Sequence, residues 1–302
     1  MKRHDHAKAR AAGWQDPLLP QQPLVTVRWL LGALAGTILL AAVCGYAVLC
    51  LLFYQGSWQL IYQPSHTITT TPATAGIAFN SIRFDATETG ELLLAGWWTS
   101  AVNAPLTVVL LHDGQGSISA VSGRVEELHR AGVNVLAFDY RGFGQSAPLH
   151  PSERSMNEDA DAAWTYLVQT RHVPAKTILF YGVGTGAAIA AEAAARHSSA
   201  AGMVLDQPGL PALELIARDS RSKLLPVRLL TTDRLEPAAA LAQSGLPKLF
   251  LSAAPAGSRL EARARQLFAA AAPPKEFAAS AQPDDAIRKF FATLAATHSE
   301  RR

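Results

Sequence analysis

Hydrophobic and polar positions divide this chain into three regimes. From Trp29 to Tyr54 the sequence runs for 26 residues without a charged side chain, long enough as a helix to cross a hydrocarbon core of roughly 30 Å. From Gln55 to Gly76 it turns to Gln, Ser, Thr and Pro with aromatics interleaved, the composition of a connector. Beyond that, short apolar runs alternate with helix-length segments. Ile77 to Phe84 and Glu91 to Trp98, with Thr89-Gly90 between them, predict an antiparallel hairpin. Leu106 to Leu111, Val133 to Phe138, Thr177 to Tyr181, Met203 to Leu205 and Lys248 to Ser252 are apolar runs of the kind that a sheet buried on both faces produces. Helices are expected over Ile118 to Arg130, Ser155 to His172, Thr185 to His197, a longer stretch from Leu210 to Gln243, and Leu260 to Ala271. This alternation predicts an α/β fold with a doubly wound, mostly parallel sheet behind a leading β-hairpin, preceded by one transmembrane helix.

The chain has 302 residues, 49% of them hydrophobic and 17% charged, which excludes disorder and gives material for one large core. A net charge of +3 implies no nucleic-acid partner. Lys2, Arg3, Lys8, Arg10 and Arg28 precede the apolar stretch, and no Lys, Arg, Asp or Glu follows it until Arg83. The positive-inside rule then leaves the N-terminus cytoplasmic and the C-terminal domain exported, the periplasmic side of a bacterial inner membrane fitting best. The stretch is too long for the apolar region of a cleaved signal peptide. Its two cysteines, Cys44 and Cys50, are the only ones, so the domain beyond has no cysteine nucleophile or thiolate metal site. The expected organisation is a basic cytoplasmic tail over 1–28, an anchor over 29–54, a juxtamembrane connector over 55–76, one domain over 77–294 with a cap or lid near 210–243, and a flexible tail over 295–302.

Three expected strand ends carry the chemistry-bearing residues, where a parallel sheet places its ligands. The first is a glycine-bearing loop, His112-Asp113-Gly114-Gln115. The second is the turn Asp139-Tyr140-Arg141-Gly142-Phe143-Gly144-Gln145-Ser146. The third is Gly182-Val183-Gly184-Thr185-Gly186, at a strand-to-helix turn. In this order they resemble the membrane-anchored, serine-hydrolase and aminopeptidase-like branch of the α/β-hydrolase fold. The resemblance covers roughly Gln59 to Thr293. It implies an oxyanion loop at His112 to Gln115, a nucleophile elbow at Gly182 to Gly186, and a structural latch made of Asp139, Arg141, Gly142, Gly144 and Ser146.

The departures from that pattern weigh against catalysis. The family's serine position holds Gly184, no carboxylate follows the run ending at Ser252, and no histidine lies in Ala279 to Asp285 before the last helix. Each replacement alone removes most of a triad's contribution. Asp113 stands where the family has glycine, and a carboxylate there repels a developing oxyanion. The stand-ins are weak. Thr185 reads as the first residue of a helix, His112 as a structural residue of the loop, and Asp206 as a loop or cap residue without a histidine to orient. His129, His150, His172, His197 and His298 match no metal spacing, so neither metal nor cofactor is expected. Gly182 to Ala187 also fits Gly-x-Gly-x-x-Ala with Asp206 about 24 residues beyond, a dinucleotide-binding pattern that here falls on a late strand instead of the first. The expected protein is therefore a catalytically inactive binding or scaffolding module. Its expected partners are the bilayer and an unknown protein or small molecule in the cleft. The alternative is a divergent esterase- or peptidase-like hydrolase with another catalytic arrangement.

Overall fold

A computed structural model describes residues 25–87, 90, 92–279 and 283–299. The chain divides into two compact units, Met1–Leu51 and Leu52–Arg302. The first is described from Val25 onward, so most of the expected basic tail lies outside the described residues. Its helix α1 (Val27–Gly56, running on into the second unit) buries no residue and is long and apolar enough to cross a membrane.

The second unit is built on an eight-stranded sheet. In chain order its elements are α2 (Trp58–Ile61), β1 (Gln63–Pro64), β2 (Asn80–Asp85), β3 (Leu93–Thr99), β4 (Thr107–Leu111), β5 (Gln115–Gly116), α3 (Ser122–Arg130), β6 (Asn134–Phe138), α4 (Glu153–Thr165), β7 (Ile178–Val183), α5 (Gly186–Arg196) and β8 (Gly202–Asp206). After these come α6 (Ala212–Ile216), α7 (Val227–Leu230), α8 (Ala238–Gln243), β9 (Lys248–Ser252), α9 (Arg259–Ala270), β10 (Lys275–Ala279) and α10 (Asp284–Ser299). The sheet order is β10-β9-β8-β7-β4-β6-β3-β2. The hairpin strands β2 and β3 pair antiparallel, β3 pairs antiparallel with β6, and the remaining pairs are parallel.

Burial on both faces explains the unbroken apolar runs. Every residue of β4, β8 and β9 is buried, and the two faces feed separate cores. One packs Phe138, Phe180, Met203 and Phe250 against α4 and α5; the other packs Val108, Tyr181 and Val204 against α3 and α10. Helix α5 has alanine at seven of its eleven positions and buries eight residues, because small side chains let it lie close to the strand ends it follows. Helix α4 begins at Ser152, whose hydroxyl accepts from the Ser155 amide while the Ser155 hydroxyl accepts from the Ser152 amide, the reciprocal cap that holds a first turn.

Two expectations about the elements need correction, and one strand was not expected at all. The long helical stretch from Leu210 to Gln243 is instead α6, a 3-10 turn at Ser220–Leu224, α7 and α8, because Pro226 and Pro237 cannot continue a helix. The edge strand β10 carried no apolar run; its residues are half-buried or exposed. The flexible tail expected from 295 is helical to Ser299 as part of α10, whose Ile287, Phe290, Phe291 and Leu294 are buried.

The segment 55–76 is woven into the second unit. Strand β1 pairs in parallel with β5, the Gln63 amide donates to Gly114 O at 2.8 Å and the Ser65 amide to Gly116 O at 2.7 Å. Tyr62, 1% exposed, lies in the core with its ring against Gly114, and its hydroxyl donates to Asp233 Oδ2 at 2.7 Å. Tyr62 of this polar segment is thus a core residue, and Trp58 is half-buried against the same core. Tyr62→Ala is expected to cost about 3–5 kcal/mol, as large aromatic truncations in cores do; urea unfolding of the full chain measures it, and a loose connector would show no loss.

Candidate functional site

The elbow and the oxyanion loop meet where β4 and β7 lie side by side. Gly184 sits at φ +59°, a left-handed conformation that glycine adopts without strain. Its amide donates to Asp206 O at 3.0 Å. This is the tight strand-to-helix turn of a nucleophile elbow, with hydrogen where the side chain would be.

Asp113 fills the space. A β-carbon at Gly184 would lie 2.5 Å from Asp113 Oδ1 and 2.7 Å from Oδ2, far inside contact distance. Asp113 Oδ1 accepts from the Thr185 amide at 2.9 Å, from Thr185 Oγ1 at 2.7 Å and from the Gly114 amide at 2.8 Å. Gly114 N also donates to Thr185 Oγ1 at 2.5 Å. The amide after the nucleophile position and an amide of the loop after β4 are the donors that hold an oxyanion in this type of site. Here both point at a carboxylate of the protein. The expectation that Asp113 repels an oxyanion is thereby refined, because the carboxylate itself takes the oxyanion's partners.

The remaining candidates face elsewhere. His112 is buried and its Nδ1 lies 2.6 Å from Asp113 O, so that nitrogen carries the proton. Nε2 is 3.8 Å from Asp139 Oδ1, and the ring packs on Tyr140 and Phe143. Burial lowers the imidazole's pKa, with Asp139 opposing. His112 thus serves the 139–146 turn as a neutral ring. Asp139 in turn accepts from the Ile118 amide at 2.6 Å and the Gln145 amide at 3.4 Å. Ser146 Oγ donates to Asp139 O and accepts from the Ala95 amide. Gly144 (φ +47°) passes so close to the Asp139 carboxylate that a β-carbon has no room. Arg141 is tied by its amide and Nε to buried Asp159 at 2.8 and 2.5 Å, and by Nη2 to Glu158 and Ser155 O. Gly142 donates to Ala147 O. These contacts join the turn to the loop before α3 and to α4.

Asp206 requires a correction. It is the last residue of β8 and 2% exposed, not a loop or cap residue. It accepts from the Tyr181 hydroxyl at 2.8 Å and pairs with Arg124 Nη2 at 2.8 Å, because a buried carboxylate needs donors. Burial raises its pKa, with Arg124 and Tyr181 opposing. The dinucleotide pattern needs that acid and the elbow amides free for a ligand, and both already have partners. His150 stacks on Trp58, and His197 stacks on Trp164 while meeting Asp161 at 2.8 Å, so both rings have partners within the fold. Among the described residues no cluster of His, Cys, Asp or Glu is placed to hold a metal ion.

Of the loop and elbow residues, Gln115 is exposed in β5, and Gly182 and Gly186 pack backbone to backbone. Val183 ends β7 half-buried. The crevice beside Gly184 and Thr185, walled by Pro208, Leu210, Leu235 and Leu267, has no space for a water-sized body. Sequence reasoning missed Tyr62 and Asp233, which close this region from the connector and cap sides. The signal available was the aromatic-rich run Trp58 to Tyr62.

Strand order, hairpin and elbow define the α/β-hydrolase fold. A family model described as Serine aminopeptidase, S33, matches residues 103–256, and the chain belongs to that family. An uncharacterized protein of Mycobacterium tuberculosis is 32% identical over 187 residues, covering 61% of this chain; the chain spans only 65% of that relative's length. Alpha/beta hydrolase domain-containing protein 17B of Xenopus tropicalis is 31% identical over 107 residues, 35% of this chain and 36% of that protein. Among solved structures, the Pyrococcus furiosus esterase Pf2001 superposes with a TM-score of 0.61 at 18% identity, covering 78% of this chain and 97% of the esterase, a likeness of fold.

Two outcomes are expected. Asp113→Ala leaves two amides short of a charged acceptor and costs about 1–3 kcal/mol in denaturant unfolding. Because His112 has a lowered pKa in the folded chain, protons bind the unfolded chain more readily below its ordinary value of 6.5, so stability is lost as pH falls from there towards the folded value. His112→Asn should therefore show a shallower loss of melting temperature between pH 7 and pH 5 than the parent.

Proposed function

We propose that this chain is a membrane-anchored, non-hydrolytic member of its family that acts as a binding or scaffolding module. The observation that supports this reading is the Asp113 carboxylate held by the Thr185 and Gly114 amides in the place that a serine side chain and an oxyanion would share. An attacking oxygen is missing at Gly184, and the donors that lower an acyl-transfer barrier already have a negative partner. A site that has lost nucleophile, acid and base together keeps none of the triad's contribution. With the crevice at the elbow closed, partner binding falls to the outer surface. A small molecule or protein segment in the cleft would need the 208–237 loops to move aside. The apolar helix and the basic residues before it support an anchor with a cytoplasmic N-terminus and an exported, periplasmic domain.

One contact favours a second reading. Thr185 Oγ1 donates to Asp113 Oδ1 at 2.7 Å, a hydroxyl next to a carboxylate, which is the pair that a divergent hydrolase would use. Activity-based labelling separates the two. The proposal predicts no labelling by a fluorophosphonate and no turnover of short-chain p-nitrophenyl esters by the parent, by Gly184→Ser or by Asp113→Gly/Gly184→Ser, since restoring the hydroxyl and the empty hole supplies no base. Labelling of the parent that disappears in Thr185→Ala would establish the divergent hydrolase instead.

A further inference from the structure

The 218–230 segment of the cap has a composition and a position that its core packing does not explain. Leu224 and Leu229 are 74% and 85% exposed; beyond α1, only Val102 among the described large hydrophobic side chains is as open. Within the same thirteen residues stand Arg218, Arg221, Lys223 and Arg228, all exposed, against the single carboxylate of Asp219, which is engaged by Arg221. Solvent-exposed leucines beside an excess of cations are the pattern of a peripheral, interfacial surface.

The segment also adjoins the point where the chain leaves the apolar helix. Tyr54 and Gln55, in the last turn of α1, line a cavity of about 420 Å³ together with Trp58, His150 and Leu230. Trp58 stacks on His150 at 4.7 Å between ring centroids, and Tyr62 behind it is bonded to Asp233 at the end of the cap segment. Aromatic residues at the end of a spanning helix sit at headgroup depth. Leu230, where the segment ends, lines the same cavity and brings the segment within reach of those headgroups, where each cation near an anionic leaflet gains attraction that fades within a Debye length.

We propose that residues 218–230 form a second membrane contact, with Leu224 and Leu229 dipping into the interface of the bilayer that α1 crosses and Arg218, Lys223 and Arg228 meeting anionic lipid headgroups. This inference rests on the anchor reading, and the test separates the two. The full chain with Cys44→Ser and Cys50→Ser receives one environment-sensitive fluorophore after Leu39→Cys, Val102→Cys or Leu229→Cys, and is reconstituted in nanodiscs of phosphatidylcholine with or without phosphatidylglycerol. Quenching by a nitroxide-bearing lipid is then measured.

The expected result is strong quenching at 39 in both lipids, none at 102, and quenching at 229 at least threefold above that at 102 in anionic nanodiscs. Arg218→Glu/Arg228→Glu should bring the value at 229 back towards that at 102. Quenching at 39 with none at 229 overturns the second contact and leaves the anchor standing, pointing to a protein partner for this face. No quenching at 39 overturns the anchor and this inference with it.

Discussion

A single carboxylate joins the loop after β4 to the elbow after β7. Asp113, at the end of β4, reaches across to the turn after β7 and accepts from two amides and one hydroxyl. In a partly desolvated pocket, amides converging on one point need an acceptor. An open oxyanion hole leaves that need to water and substrate; here the chain supplies the acceptor. The glycine at 184 and the aspartate at 113 are two sides of one constraint, since a β-carbon at 184 and the carboxylate of 113 cannot occupy the same volume.

The surroundings follow from this closure. The loops around the elbow pack down until the crevice has no space for a water-sized body, and Tyr62 seals the Gly114 side while its hydroxyl donates to Asp233. The strand β1, which adds to β5 beside the loop, carries the same segment that leads from the apolar helix. The path from helix to plugged loop is thus a short run of hydrogen-bonded backbone.

Much of the fold was legible because its physics is local and repetitive. Runs such as Leu106 to Leu111 and Lys248 to Ser252 mark strands buried on both faces, and the prolines and glycines between runs mark the turns. The 139–146 turn was legible as a latch because its aspartate, arginine and glycines leave few alternatives; that Arg141 takes its main partner from α4, at Asp159, depends on a contact across 18 residues that no pattern exposes. What escaped reading was long-range. Tyr62 looks like a connector residue until it is placed against Gly114 and Asp233, 171 positions away. Asp206 looks like a loop residue until Arg124 and Tyr181 are brought to it. The absence of serine at 184 was plain from the sequence, whereas the use of Asp113 to fill the gap was visible only once the two strand ends were side by side.

The central contact is the Asp113 side chain holding the Thr185 amide. Selective nitrogen-15 labelling of threonine in the full chain, with amide chemical shifts compared between the parent and Asp113→Ala, tests it most directly. The expected result is a Thr185 amide proton that resonates downfield in the parent and moves upfield in Asp113→Ala. A Thr185 resonance that ignores the substitution would mean that the hole is open and that Asp113 does not close the site.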